Sequence, residues 1–203
     1  KMPYWRFSDP RLAITISMVL ILNRDYHKTF HETALRDALL CINAHMPRQA
    51  VTEALSKLEN LESGSLLQKN MVFMDYLQTH PVKFLKGTER SSIVRLLDYN
   101  DPSKNNLSWP ISGHLLNIQK KRPDIILFIN GLPLVVIELK SPSREETDAS
   151  AAYRQLRNYF HEIPTLFAYN AICVMSDMTT SKAGTITSGE DRFMEWKTKD
   201  GSY

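Results

Sequence analysis

Arg122-Pro123-Asp124-Ile125-Ile126-Leu127-Phe128-Ile129-Asn130-Gly131-Leu132-Pro133-Leu134-Val135-Val136-Ile137-Glu138-Leu139-Lys140 is the stretch on which the reading of this chain turns. Two apolar runs flank Asn130-Gly131, a strong hairpin signal because both residues tolerate the positive φ of a tight turn. Both faces of each run are apolar, which predicts a sheet centre covered on both sides. Charge breaks the pattern at Asp124 on the first strand and at Glu138 and Lys140 on the second. Residues two apart on a strand share a face, so Glu138 and Lys140 point the same way.

Two carboxylates and an ammonium at one end of an apolar sheet are costly to bury unless they pair, bind a metal or reach solvent. The pattern Pro-Asp, a spacer and Glu-x-Lys resembles the signature of the PD-(D/E)xK nuclease superfamily, whose chemistry accounts for the residue types. Mg²⁺ takes hard oxygen ligands and is held by one or two carboxylates plus waters and substrate phosphates. Such an ion lowers the pKa of a bound water and offsets charge developing on a phosphate under attack. A lysine beside it can orient or deprotonate that water. A strand-end ion pair, Lys140 with Asp124 or Glu138, is the plainer account of the same residues, because D…ExK arises by chance in many α/β proteins.

The metal account sets a condition on the hairpin. Paired residues on antiparallel strands share a face, and faces alternate along each strand. A plain two-residue Asn130-Gly131 loop pairs Ile129 with Leu132 and therefore Asp124 with Ile137, leaving the two carboxylates on opposite faces. A three-residue loop pairs Asp124 with Glu138. An odd-length connection or a β-bulge is therefore expected.

Composition sets looser bounds. The 203 residues suffice for one domain, or one with a helical extension. A hydrophobic fraction of 43% with 23% charged residues is ordinary for a globular protein, and a net charge of +3 permits a polyanionic partner without arguing for one. Cys41 and Cys173 are isolated, with no metal spacing or disulfide framework, which suits a reducing cytoplasm. The apolar run from Leu12 to Leu22 is too short to span a membrane and is followed by Asn23-Arg24-Asp25 rather than a small-residue cleavage site. It reads as a buried helix. A chain beginning at Lys1 reads as a fragment or a trimmed piece.

Taken in order, residues 1–80 read as a helical part packed on the core and 81–203 as the α/β core, with no repeats, low-complexity tract or convincing interdomain linker. Ser8-Asp9-Pro10 is a helix start. Helices are expected over Thr29 to Ile42, Pro47 to Leu58 and Leu66 to Leu77. Leu35, Ala38, Leu39 and Ile42 form the inward stripe of the first, and Val51, Ala54, Leu55 and Leu58 that of the second. Met71, Phe73, Met74 and Tyr76 read as core. His27 and His31 lack further ligands and read as surface histidines. Glu32 is either a solvated helix glutamate or an acid reaching the sheet site from a flanking helix. Val82 to Leu85 and Ser91 to Asp98 read as strands, Asp101 to Asn106 as a polar loop, and Arg144 to Glu162 as a helix. Thr165 to Asp177 is expected to hold one or two strands, Gly184 to Gly189 a turn, and Arg192 to Lys197 an apolar anchor.

Gln155 and Tyr159 lie four apart on one face of the helix after Lys140. At that distance from D…ExK they resemble the QxxxY element of RecB-type nucleases, and Arg154 and Arg157 add cations suited to phosphates. Together Arg122 to Lys140, Gln155-Leu156, Tyr159, Ile163-Pro164, Leu166-Phe167, Tyr169-Asn170, Ser176-Asp177 and Phe193 with Trp196-Lys197 resemble the N-terminal nuclease domain of the motor (R) subunit of type I restriction enzymes. The match is firm from Arg122 to Lys197, looser from Glu32 to Asp98, and gives no role to residues 107–121.

The resemblance implies an α/β fold: a PD-(D/E)xK, restriction-endonuclease-like core with a mixed central sheet flanked by helices. It implies an Mg²⁺-dependent endonuclease (Mn²⁺ as substitute) that hydrolyses double-stranded DNA. Asp124 and Glu138 would bind the metal, Lys140 would be catalytic, and Gln155, Tyr159 and Arg157 would support the site or contact DNA. Methyltransferase and specificity subunits, and the helicase domains of the intact subunit, are the implied partners in a bacterial or archaeal cytoplasm. ATP would serve only that motor, since Gly184 and Gly189 have phosphate-loop spacing but are followed by Glu190-Asp191 instead of Lys and Ser/Thr. A non-catalytic DNA-binding or docking module with this fold, or another PD-(D/E)xK repair nuclease, are the alternatives. The intact acids and lysine oppose the first, and the long match around the hairpin opposes the second.

Overall fold

The computed structural model describes residues 29–61, 64–78, 83–86, 90–108, 123–140, 149–176 and 180–195. The helix start at Ser8 and the apolar run to Leu22 lie outside them, as do His27 and most of residues 107–121.

The described residues begin with three helices, α1 (Glu32–Ile42), α2 (Arg48–Glu59) and α3 (Leu66–Gln78). His31 caps α1, its Nδ1 accepting from the Ala34 N–H at 3.1 Å. This histidine, expected only as a surface residue, closes one of the open donors of the helix start. Of the inward stripes, Leu35, Ala38, Leu39, Val51, Ala54, Leu55 and Leu58 are buried, whereas Ile42, at the end of α1, is only half-buried. Phe73 is fully buried, but Met71 is 63% exposed, because it sits on the outer side of α3 while Phe73 and Leu77 take the inner side.

Two short strands, β1 (Lys83–Lys86) and β2 (Arg90–Ile93), pair as a separate antiparallel sheet. The second is shorter than the sequence suggested, since the backbone leaves the strand after Ile93 and Arg95 bonds a side chain. The Arg95 N–H donates to Asn43 Oδ1 and its carbonyl accepts from Asn43 Nδ2, both at 2.9 Å.

The main sheet has six strands in chain order: β3 (Leu107–Ser108), β4 (Ile125–Ile129), β5 (Leu132–Leu139), β6 (Ile172–Ser176), β7 (Ser181–Gly184) and β8 (Met194–Glu195). Only β5 and β6 are parallel. A parallel neighbour needs a crossover, which α4 (Ala149–Glu162) supplies. Between α4 and β6 the chain makes one more short helix, α5 (Pro164–Ala168), where the sequence reading placed strand. Pro164 at the first helical position, and three consecutive buried residues, Leu166, Phe167 and Ala168, suit a helix turn pressed between α3 and the sheet. This mixed sheet between helices is the restriction-endonuclease-like α/β architecture.

The hairpin strands are covered on both faces, as their composition demanded. Leu132, Leu134, Ile129 and Val135 face the cluster built by α1, α2, α3 and Tyr169. Ile126, Phe128 and Val136 face the cluster built by α4, α5 and β6. Tyr169 joins layers: its ring meets Phe30 and Phe73 edge-on at 5.5 and 5.3 Å, and its hydroxyl donates to the Leu58 carbonyl at 2.6 Å.

The Asn130-Gly131 turn is buried against α1. Both residues have positive φ, 53° and 80°, the geometry of a two-residue hairpin turn. Asn130 is fully buried and satisfied: Oδ1 accepts from the Asn106 N–H, and Nδ2 donates to Leu96 carbonyl and Asn105 Oδ1. The Gly131 carbonyl accepts from the His31 N–H at 2.8 Å. A Cβ on Gly131 would lie 2.6 Å from the His31 carbonyl oxygen and 2.9 Å from the Leu35 nitrogen. Gly131→Ala therefore combines a disfavoured left-handed alanine with a backbone clash, and chemical denaturation should show a loss on the order of 3 kcal/mol.

Candidate active site

The turn has two residues, yet the register asked of a metal site is present. Ile129 pairs with Leu132 and Phe128 with Pro133, after which the register shifts. Leu134 is the extra residue, and the pairing resumes as Leu127–Val135, Ile126–Val136 and Ile125–Ile137. Continued by one residue, this register sets Asp124 opposite Glu138. A β-bulge, the second of the two expected solutions, therefore brings both carboxylates to one face. Pro133 suits this irregular position, since it has no N–H to give to a ladder.

Alternation assigns the site to the α4 side of the sheet. Asp124 shares the face of Ile126, and Glu138 that of Val136. The two acids are held differently. Asp124 is exposed, and its Oδ2 accepts from the Leu139 N–H at 2.7 Å. Glu138 is 4% exposed, and its Oε1 accepts from Lys140 Nζ at 2.7 Å. The strand-end ion pair is thus real, but it accounts for one oxygen only: Glu138 Oε2 is buried and receives no hydrogen bond among the described residues. Burial pushes the Glu138 carboxyl above its ordinary range and the negative Asp124 adds to this, while the bond from Lys140 opposes it.

Gln155 and Tyr159 reach the same place from α4. The buried Tyr159 phenol lies beside the Gln155 side chain and feels the charges of Glu138 and Asp124. Burial first, and Glu138 next, push it up to about 12. It stays a protonated phenol at neutral pH, able to donate but not to act as a nucleophile. Arg157 lies on another side of α4, where its guanidinium stacks 5.2 Å from the Phe160 ring centre and donates to the Ile186 carbonyl at 3.4 Å. Glu32 is at the far end of the hairpin, since the preceding residue, His31, bonds Gly131. The seven-residue rise from Leu132 to Leu139 is about 23 Å, so Glu32 does not approach the acids; it pairs with Arg36 at 3.7 Å.

The donor set fits a hard divalent cation that keeps most of its waters. Among the described residues no group of three or more His, Cys, Asp or Glu side chains could hold a metal ion. Two carboxylates on one face, one with an orphaned buried oxygen, are what a partly hydrated Mg²⁺ uses. Thiol chemistry does not enter, because Cys173 is buried and its thiol is pushed up to about 12. No helix of the described residues is long and apolar enough to cross a membrane.

Asn170 went unassigned in the sequence, although it stands beside the site's scaffold. It is 2% exposed, and its Nδ2 donates to the Leu134 and Ile172 carbonyls at 3.1 and 2.9 Å. In the sequence it stood only among the residues that carry the family resemblance, with no role attached to it.

Comparison with known proteins places the chain in a family. A family model described as "Type I restriction enzyme R protein N terminus" matches residues 16–192. The HindI type I restriction enzyme endonuclease subunit of Haemophilus influenzae is 33% identical over 173 residues, covering 82% of this chain and 16% of that protein. A Methanocaldococcus jannaschii protein named as the MjaIXP type I restriction enzyme endonuclease subunit is 27% identical over 166 residues, covering 79% of this chain and 16% of its own length. The chain thus spans about one sixth of the length of these relatives. With the family model covering most of its residues, the chain belongs to the family of type I restriction enzyme R protein N termini.

Proposed function

We propose that this chain is the Mg²⁺-dependent endonuclease part of a type I restriction enzyme R subunit, hydrolysing phosphodiester bonds of double-stranded DNA. The observation that carries the reading is the orphaned, buried Oε2 of Glu138 on the same face as Asp124, beside Lys140. The ion pair with Lys140 satisfies Oε1 alone, and a cation beside Oε2 would answer the second oxygen.

In this reading Asp124 and Glu138 would hold the cation, whose chemistry when bound would be to lower the pKa of a water and offset charge on a phosphate. The Leu139 N–H fixes the orientation of the Asp124 carboxylate through Oδ2. Lys140, bound through Nζ to Glu138 Oε1, keeps further N–H donors for the attacking water or a phosphate oxygen. Tyr159 and Gln155 wall the site and offer donors toward the acids and the DNA backbone. Arg157 contributes at most a phosphate contact beyond the Ile186 turn. Methyltransferase and specificity subunits, and an ATP-driven motor in the rest of the subunit, deliver the DNA.

Three outcomes test this. In the full-length assembly, Glu138→Ala and Lys140→Ala should each lower cleavage at least about a hundredfold, with ATP hydrolysis unchanged. Cleavage retained in both would remove the assignment. Mn²⁺ at about a hundred times its Kd should stabilise the chain by about 2.7 kcal/mol in a thermal melt, and the gain should vanish in Glu138→Gln. Gln155→Ala and Tyr159→Ala should slow cleavage by about tenfold or more. A large drop in Tm with normal cleavage would return them to a structural role.

A further inference from the structure

We propose that Asn170 is a positioning residue for the carboxylate pair, acting through the Leu134 bulge; the metal arm of its test rests on the function proposed above. Without the extra residue Leu134, Asp124 would stand opposite Ile137 and face away from Glu138. The whole site therefore depends on one irregular residue in a strand that could slip.

Strand registers flanked by apolar side chains on both faces are only weakly specified by burial, because a slip exchanges one apolar face for another. The bulge needs a polar anchor, and the Leu134 carbonyl has one. It accepts from the Ala171 N–H at 2.8 Å and from Asn170 Nδ2 at 3.1 Å. The second Nδ2 hydrogen goes to the Ile172 carbonyl at 2.9 Å, and Oδ1 accepts from Cys173 Sγ at 3.1 Å. Every polar atom of this buried side chain is thus used, and its bonds bridge β5 to the first turn of β6.

The asparagine is itself clamped. Its N–H donates to the Phe167 carbonyl at 3.3 Å, and its own carbonyl accepts from Asn70 Nδ2 at 2.8 Å. Asn70 of α3 also donates to the Phe167 and Ala168 carbonyls. A path of hydrogen bonds therefore runs from α3 through the α5 corner to the bulge. Parallel pairing begins just past the anchor, Val135 with Ile172, and ends with Glu138 opposite Met175 and Leu139 opposite Ser176. Asn170 sets the start of the ladder whose far end carries the acid.

The test compares Asn170→Ser and Asn170→Ala with Asn43→Ser in the full chain. Asn43 is equally buried and makes three side-chain hydrogen bonds away from the bulge. The first readout needs no metal: amide exchange of Leu139, whose N–H reports Asp124 through its bond to Oδ2. At equal global stability, the Asn170 variants should exchange Leu139 about tenfold faster than Asn43→Ser. The second readout is Mn²⁺ affinity, followed by the paramagnetic resonance of free Mn²⁺. It should weaken about tenfold in the Asn170 variants and stay at the parent value in Asn43→Ser. If one Asn170 variant fails to fold, the other carries the comparison. Parent-like Leu139 exchange in a folded Asn170 variant would overturn the role of Asn170. Mn²⁺ binding that is indifferent to Asp124→Asn and Glu138→Gln would instead overturn the metal reading, and Leu139 exchange would still decide the positioning role.

Discussion

One extra residue in a central strand, Leu134, is the constraint on which the site depends. A tight Asn130-Gly131 turn and a common face for Asp124 and Glu138 are incompatible in a regular hairpin, because the pleat alternates at every residue. The fold keeps both by inserting the bulge between them. The turn can then be short enough to bury against α1, where Gly131 touches the helix backbone, while the other end of the hairpin presents its acids to α4. Structure at one end and chemistry at the other are decoupled by a one-residue defect.

The electrostatics follow from where that hairpin sits. Its strands are covered on both faces, so Glu138 is desolvated near the middle of the sheet's edge toward α4. Lys140, two residues on and on the same face, neutralises one of its oxygens. A buried ion pair contributes little net stability after desolvation, and here it is also incomplete. Asp124, in contrast, is open to solvent and tethered by a backbone N–H. The pair thus combines one buried and one solvent-exposed carboxylate on a single face.

Buried asparagines hold the parts of the fold that regular pairing leaves loose. Asn43 ties α1 to the segment after β2, Asn130 ties the turn to the 105–106 loop and Leu96, and Asn70 with Asn170 ties α3 to the bulge. Each can donate twice and accept at one carbonyl oxygen, which suits irregular backbone with unpaired groups of both kinds. Loss of any one leaves backbone polar groups buried without partners.

Much of this was legible in the residues. The hairpin, its double burial, the helical stripes of α1 and α2, the helix carrying Gln155 and Tyr159, and the family all follow from local pattern and motif. So does the need for an odd step in the register, because alternation and the spacing from Asp124 to Glu138 leave no other way to share a face. What local pattern could not decide was where that step falls. A three-residue loop and a bulge satisfy the same count, and the choice rests on Gly131 packing against His31 and on donors from Asn170 and Ala171, all distant in sequence. The same holds for α5, whose apolar residues read as strand until α3 and the sheet close around them, and for Met71, whose side of α3 is set by what packs on the other. Periodicity reports which residues can be buried; only the assembled layers determine which are, and which backbone groups then need a side chain to answer them.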